Sequence, residues 1–221
     1  MKYDLINEVL KLVQEFERQI QNGFQYSNDV EGFKEWIAVS VNSTKAKIEP
    51  AWEAKEYGRS PESVINTLIV HMNRYARSYS KAAIYDSDFS TQEDFIYLIN
   101  LKAFGAMTKM ELIKKNVHEK SVGIQIINRL IKQGWVVQTD SKQDKRSKLV
   151  AITKKGLKAL ENLMDKVRKA SEIVVGDLNH DEKMELIRLL NKLNDFHNPI
   201  YLKNLDSSEL LDEVIQEMEN K

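Results

Sequence analysis

The stretch "GWVVQTDSKQDKRSKLVAITKKG", residues 134–156, decides how the rest of this chain is read. Two runs rich in β-branched residues, "WVVQTD" and "SKLVAI", flank a charged tip, which is the pattern of a β-hairpin. The tip lacks an Asn-Gly or Asp-Gly pair, so a longer loop is expected in place of a two-residue turn. Four cations, Lys142, Lys145, Arg146 and Lys148, crowd it, with one acid, Asp144, among them. Gly134 before the hairpin suits the left-handed end of a helix, and Thr153 after it is placed to cap the next one.

Working outward, the punctuation is helical on both sides. Ser90 with Glu93, and Thr108 with Glu111, form capping-box pairs ahead of "DFIYLINLKAF" and "LIKKN", and Met107 and Leu112 are spaced as a hydrophobic staple across the second cap. A third helix spans about 119–133. After the hairpin, helices are expected from Thr153 to about Val175, from the Asn179/Glu182 pair onward, and after Asp206, where Glu209 completes another pair. Upstream, Ser60-Pro61-Glu62 is a helix start carrying Ile65, Leu68, Ile69, Met72, Tyr75 and Ala76 on one face to about Ile84. The N-terminal segment 4–21 places Leu5, Val9, Leu12, Phe16 and Ile20 at helical spacing. A second helix is expected from the Asn28/Glu31 pair, and 43–60 reads as a polar loop with a short helical turn.

Composition bounds the possibilities. The chain of 221 residues has only 8 Gly and 3 Pro, which favours helix. It has no cysteine, which excludes disulfides, thiolate metal ligands and a cysteine nucleophile. No apolar run is long enough to span a membrane, and "MKYDLINEVLKLVQEF" is an acid-bearing amphipathic start, so a soluble cytoplasmic protein with no membrane partner is expected. The 33 cations and 33 acids balance, but unevenly. Residues 107–156 hold twelve Lys/Arg and four Asp/Glu, a net +8, while 157–221 hold nine and fourteen. A basic segment within an otherwise acidic chain points to a polyanion at one surface.

Helix, helix, helix, basic hairpin, helix is the order of a winged helix-turn-helix. In that unit the helix before the hairpin enters the major groove and the hairpin reaches toward the minor groove. On a helical wheel, Ile124, Ile127, Leu130 and Ile131 share one side of that helix, with Ile126 at its margin. Ser121, Gln125, Asn128, Arg129 and Lys132 lie opposite, with Val122 at the edge. Gln and Asn can pair with adenine, Arg and Lys suit guanine or phosphate, and Val122 could meet a thymine methyl; each good base contact is worth roughly 1–3 kcal/mol of discrimination. Arg146 is placed to enter the minor groove. Lys142, Lys145 and Lys148 are candidate phosphate contacts, as is Lys120 at the start of the helix.

Residues 62–198 resemble the MarR family of bacterial winged-helix transcriptional regulators. The resemblance rests on "DKRSKLVAITKKG" as the wing, "INRLIKQGWV" as the end of the recognition helix, and "LNHDEKMELIRLLNKL" as the final dimerisation helix. It implies a mainly α protein: a winged helix-turn-helix lobe with a two-stranded β wing, and dimerisation helices at both ends. It also implies that Asp144 pairs with Arg146 and orients it, and that a small organic effector binds between lobe and dimerisation helices. An exposed pair of this kind adds only about 0–1 kcal/mol, so orientation is its rationale.

The expected divisions are a helical extension over 1–60, a linking helix over 61–88, the DNA-binding domain over 89–156 and a dimerisation region over 157–221. Spare apolar stripes support a homodimer: the N-terminal helix, Leu157/Leu160/Leu163/Met164/Val167, and Leu186/Ile187/Leu189/Leu190/Leu193. The tyrosines and phenylalanines near the junction, Tyr75, Tyr79, Phe89 and Phe95, read as core before pocket. No nucleotide, zinc-protease or serine-hydrolase motif is present, and the four histidines are scattered, so neither catalysis nor a metal or cofactor is expected. The alternative is a winged helix that docks a partner protein and binds no specific DNA.

Overall fold

The computed structural model describes residues 4–21, 23, 26–45, 49–140 and 148–219, the side chains of 41–45 excepted. Its contacts divide the chain into two compact units, 1–65 and 66–221.

The first unit holds α1 (Asp4–Gln21), α2 (Val30–Lys45), a 3-10 turn (Lys55–Tyr57) and the beginning of α3 (Pro61–Ile84). Aromatic packing joins α1 to α2. Phe16 is buried edge-on against Phe33 with centroids 5.3 Å apart, and Trp36 lies 5.7 Å from Phe16. The indole of Trp36 donates to Gln19 Oε1 at 2.9 Å, which satisfies its one polar atom. The cap of α2 is Asp29, one residue after the expected Asn28. Its carboxylate accepts from the amide of Gly32 at 2.9 Å, which holds that carboxyl below the usual range. The apolar residues on the outer side of α1, from Leu5 to Leu12, are exposed.

The second unit contains the rest of α3, then α4 (Gln92–Phe104), β1 (Met107–Thr108), α5 (Lys109–Lys115), α6 (Lys120–Lys132), β2 (Val136–Asp140), β3 (Lys148–Ile152), α7 (Lys154–Val175), α8 (His180–Lys203) and α9 (Ser207–Glu219). The hairpin is present, with Val136 opposite Ile152 and Asp140 opposite Lys148. Among the described residues the two wing strands are joined by a third strand, in the order β1-β3-β2. β1 contributes only Met107 and Thr108, facing Val150 and Leu149. Two residues carry no alternation to read, so only the pairing reveals them.

Phe95, Tyr97, Leu98 and Leu101 of α4, Leu112 and Ile113 of α5, Ile126, Ile127 and Leu130 of α6, Trp135, Val136 and Val150 of the sheet, and Leu160, Leu163 and Val167 of α7 make one core. Burying each large apolar side chain stabilises by roughly 1.5–3 kcal/mol. The expectation that the α7 stripe is spare for a partner is therefore corrected: its central residues Leu160, Leu163 and Val167 complete this core. By contrast α8 buries no residue, and Leu186, Ile187, Leu189, Leu190 and Leu193 stand exposed, as do Leu68, Ile69, Met72 and Tyr75 of α3. Phe89 and Phe95 are core, and Phe89 lies tilted on Trp135 at 4.5 Å. Among the described residues no helix is long and apolar enough to cross a membrane.

The motif "Thr-x-x-Gly" at 153–156 has a packing reason. Thr153 caps α7 by accepting from the Gly156 amide at 3.0 Å, and its hydroxyl donates to the Gly134 carbonyl at 2.8 Å. A Cβ on Gly156 would lie 2.3 Å from the Trp135 carbonyl oxygen, so no side chain fits where α7 crosses the hairpin base. Gly134 adopts φ +71, with the Trp135 amide bonded to the Leu130 carbonyl, which ends α6 as a left-handed cap.

Candidate nucleic-acid interface

The helix-turn-helix is α5, the turn 116–119 and α6. Thr108 and Glu111 cap α5 reciprocally: Glu111 accepts from the Thr108 amide at 2.7 Å, and the Thr108 hydroxyl accepts from the Glu111 amide at 3.2 Å. The Thr108 amide holds the Glu111 carboxyl below its ordinary range. The two helices approach closely because position 123 has no side chain. A Cβ there would stand 2.3 Å from Ile113 Cγ1.

The turn is pinned from several directions. Asn116 donates to the Leu112 carbonyl at 2.6 Å and accepts from Asn100 Nδ2 at 2.8 Å. Val117 sits at φ +52, a left-handed conformation that a β-branched residue resists. The His118 ring stacks on Tyr97 at 5.7 Å, and a 2.9 Å hydrogen bond joins Tyr97 Oη to His118 Nδ1. Glu93 Oε2 lies 3.5 Å from His118 Nε2. Burial first, and then the Glu93 charge, push the Tyr97 phenol far above the ordinary tyrosine range. From the other side, Tyr201 of α8 donates its hydroxyl proton to the His118 carbonyl at 2.8 Å.

The face of α6 turned to the core consists of Gly123, Ile126, Ile127 and Leu130, with Ile124 and Ile131 half-buried. The wheel put Ile124 and Ile131 on this side with Ile126 at its margin, whereas Ile126 is buried and those two stand at the edge. The helix is rotated toward Gly123 because that is where α5 can come closest. The rotation leaves Ser121, Gln125, Asn128 and Lys132 exposed in one stripe, with Lys120 and Val122 exposed beside its start. Among the described residues none of those four stripe side chains is engaged in a hydrogen bond or ion pair.

Arg129 does not belong to that stripe, which corrects its assignment as a base or phosphate contact. Its Nε and Nη2 donate to Asp94 Oδ1 at 2.9 and 2.6 Å, and Nη2 also donates to Thr91 Oγ1 at 3.1 Å. Asp94 is 1% exposed. Its second oxygen accepts from the amides of Ser90 and Thr91 at 2.9 and 3.1 Å. The start of α4 is thus capped by Thr91 and Asp94, one residue later than the expected Ser90 and Glu93, and Arg129 completes the charge balance. A cation placed by its own helix on the rim is drawn inward by an acid 35 residues away in sequence.

Of the wing candidates, Lys148 is exposed at the first rung of β3, opposite Asp140. Lys142, Asp144, Lys145 and Arg146 lie outside the described residues. Lys155, beside the hairpin, is committed elsewhere, donating to the Gln133 carbonyl at 2.8 Å. Among the described residues no three His, Asp or Glu side chains converge into a group that could hold a metal. Tyr97 and Tyr201, which secure the turn, carry no sequence signal that marks them as site residues. Tyr97 sits inside an apolar run that reads as core, and Tyr201 lies far along the chain in a helix with no buried residue.

Comparison with known proteins agrees with this geometry. Residues 89–156 match the family model described as a winged helix DNA-binding domain. The HTH-type transcriptional regulator YwoH of Bacillus subtilis is 31% identical over 126 residues, covering 55% of this chain and 90% of that protein. The HTH-type transcriptional repressor NicR of Pseudomonas putida is 29% identical over 105 residues, covering 48% and 66%. A cysteine-to-serine mutant of MarR from E. coli, solved in complex with operator DNA, aligns with a TM-score of 0.54 at 25% identity, over 58% of this chain and 92% of MarR. With its helix-turn-helix, its basic hairpin and these relatives, the chain belongs to the MarR family of winged-helix, DNA-binding transcriptional regulators.

Proposed function

We propose that the protein is a sequence-specific repressor that binds double-stranded DNA as a homodimer in the cytoplasm, as a binding protein and not an enzyme. α6 enters the major groove and the hairpin follows the backbone to the minor groove. The observation that carries this reading is the stripe Ser121, Gln125, Asn128 and Lys132: amide, hydroxyl and cation side chains left exposed, and unengaged among the described residues, on a helix whose opposite side is locked into the core. It adjoins the segment in which the chain concentrates its positive charge. Repression follows the relative named a repressor. Pairing is supported by the exposed apolar rows on α3 and α8, since one helix and one hairpin neutralise few phosphates and two are needed to read paired half-sites. Control by a small organic effector is part of the proposal. A cleft of about 270 Å³ bordered by Asp86, Phe89, Trp135, Asn162, Leu163 and Lys166 is close to the lower size of small-ligand sites.

The test is selection of DNA fragments by the purified protein, followed by affinity measurement across salt. We expect an enriched two-fold motif with half-sites one helical turn apart, and affinity that falls steeply as salt rises. Gln125→Ala should lower the preference for that motif by about 1–3 kcal/mol and leave the salt dependence unchanged. Lys145→Ala with Arg146→Ala should abolish binding to any duplex. Affinity that is flat in salt, with no enriched motif, overturns the proposal in favour of a protein-docking module.

A further inference from the structure

α8 differs from the other long helices of its unit. It buries no residue, its apolar row is exposed, and Pro199 removes a backbone donor near its end. Two residues beyond that proline, Tyr201 makes the 2.8 Å hydrogen bond to the carbonyl of His118. His118 stands two residues before α6 begins, and its ring is already clamped by Tyr97. Glu119, at the cap position of α6, makes no side-chain capping bond, so the placement of the first turn depends on what holds the residues before it.

We propose that Tyr201 is a positioning residue for DNA reading: its hydroxyl fastens the end of α8 to the turn, so that the seating of α8 sets the aim of α6. This rests on the reading that α6 meets DNA and that α8 meets a second copy. A partner seated on α8 then acts on Ser121 and Gln125 through one hydrogen bond and one strained turn, with no contact between the partner and those two side chains. Tyr97 grips the same residue by its ring, so the carbonyl tether and the ring clamp are separable by mutation.

The experiment compares the full-length protein with Tyr201→Phe, which keeps the ring and removes the donor. Hydrogen exchange is measured first, without DNA, at the amides of His118 and Gly123, which bond to the carbonyls of Ile113 and Glu119. We expect exchange about 2- to 10-fold faster at these two amides and unchanged inside α4. Next, the preference for the selected motif over a scrambled duplex should fall by a similar factor, with the salt slope unchanged because no phosphate contact is lost. Unaltered exchange at the two amides, acceleration spread evenly over α4 to α6, or a preference that survives intact overturns the proposal. A wild-type protein with no motif preference defeats the DNA reading itself, and the exchange result alone then decides the tether.

Discussion

Arg129 is a cation whose position on its own helix and whose neighbours across the fold make different claims on it. By angle it borders the outward stripe; by chemistry it is the partner of a buried carboxylate. The second claim wins, because leaving Asp94 unpaired in the interior costs more than a surface cation gains from water. Arg129→Ala is therefore expected to destabilise the folded protein by about 3 kcal/mol in urea unfolding without DNA, and a shift under 1 kcal/mol would place the residue back at the interface. Gln125, one turn away, and the adjacent Asn128 carry no such partner among the described residues. Sequence spacing alone identifies them, since an amide on the solvent side of a recognition helix needs nothing distant to hold it there. It cannot identify Arg129, whose partner lies 35 residues earlier and is indistinguishable in sequence from an ordinary helix-start acid.

The helices themselves were legible wherever a cap could be read locally. Thr108 with Glu111, Thr153 with Gly156, and Asn179 with Glu182 all make the bonds that their spacing predicts. Two caps moved by one residue, from Asn28 to Asp29 and from Ser90 to Thr91. In each case adjacent residues offer equivalent oxygens. At the start of α4 the choice falls to the pair whose carboxylate also reaches Arg129. The third strand is not legible in sequence, because its two residues have no period. Glycine supplied a sharper signal than any of these. Gly156→Ala should cost about 1–3 kcal/mol, since the new methyl meets backbone, not a movable side chain. Thermal melting of that variant against the wild type checks this: an unchanged Tm would remove the close approach of α7 to the Trp135 carbonyl as the reason for the motif.

For the whole molecule, the division between self-contained core and unsatisfied surface falls differently from the sequence pattern. Periodicity shows that a helix has an apolar side but not what covers it, so the stripes of α7 and α8 look alike in sequence. One proves to be internal and the other open. The homodimer reading therefore rests within this unit on α3 and α8, and Leu189→Asp with Leu190→Asp should convert a dimer to a monomer in sedimentation while leaving the helical circular dichroism unchanged. The same variant should bind DNA with a salt slope reduced to about half, as half the phosphates are engaged. A wild type that sediments as a monomer at every concentration contradicts the pairing. The phenol of Tyr97 has a consequence of another kind. An unfolded chain surrenders this proton near pH 10, whereas the closed molecule retains it, so the balance between the two tips toward opening as alkali is added. Ultraviolet titration should thus show one tyrosine that ionises only when the lobe comes apart, a colourless latch whose absorbance announces its own release.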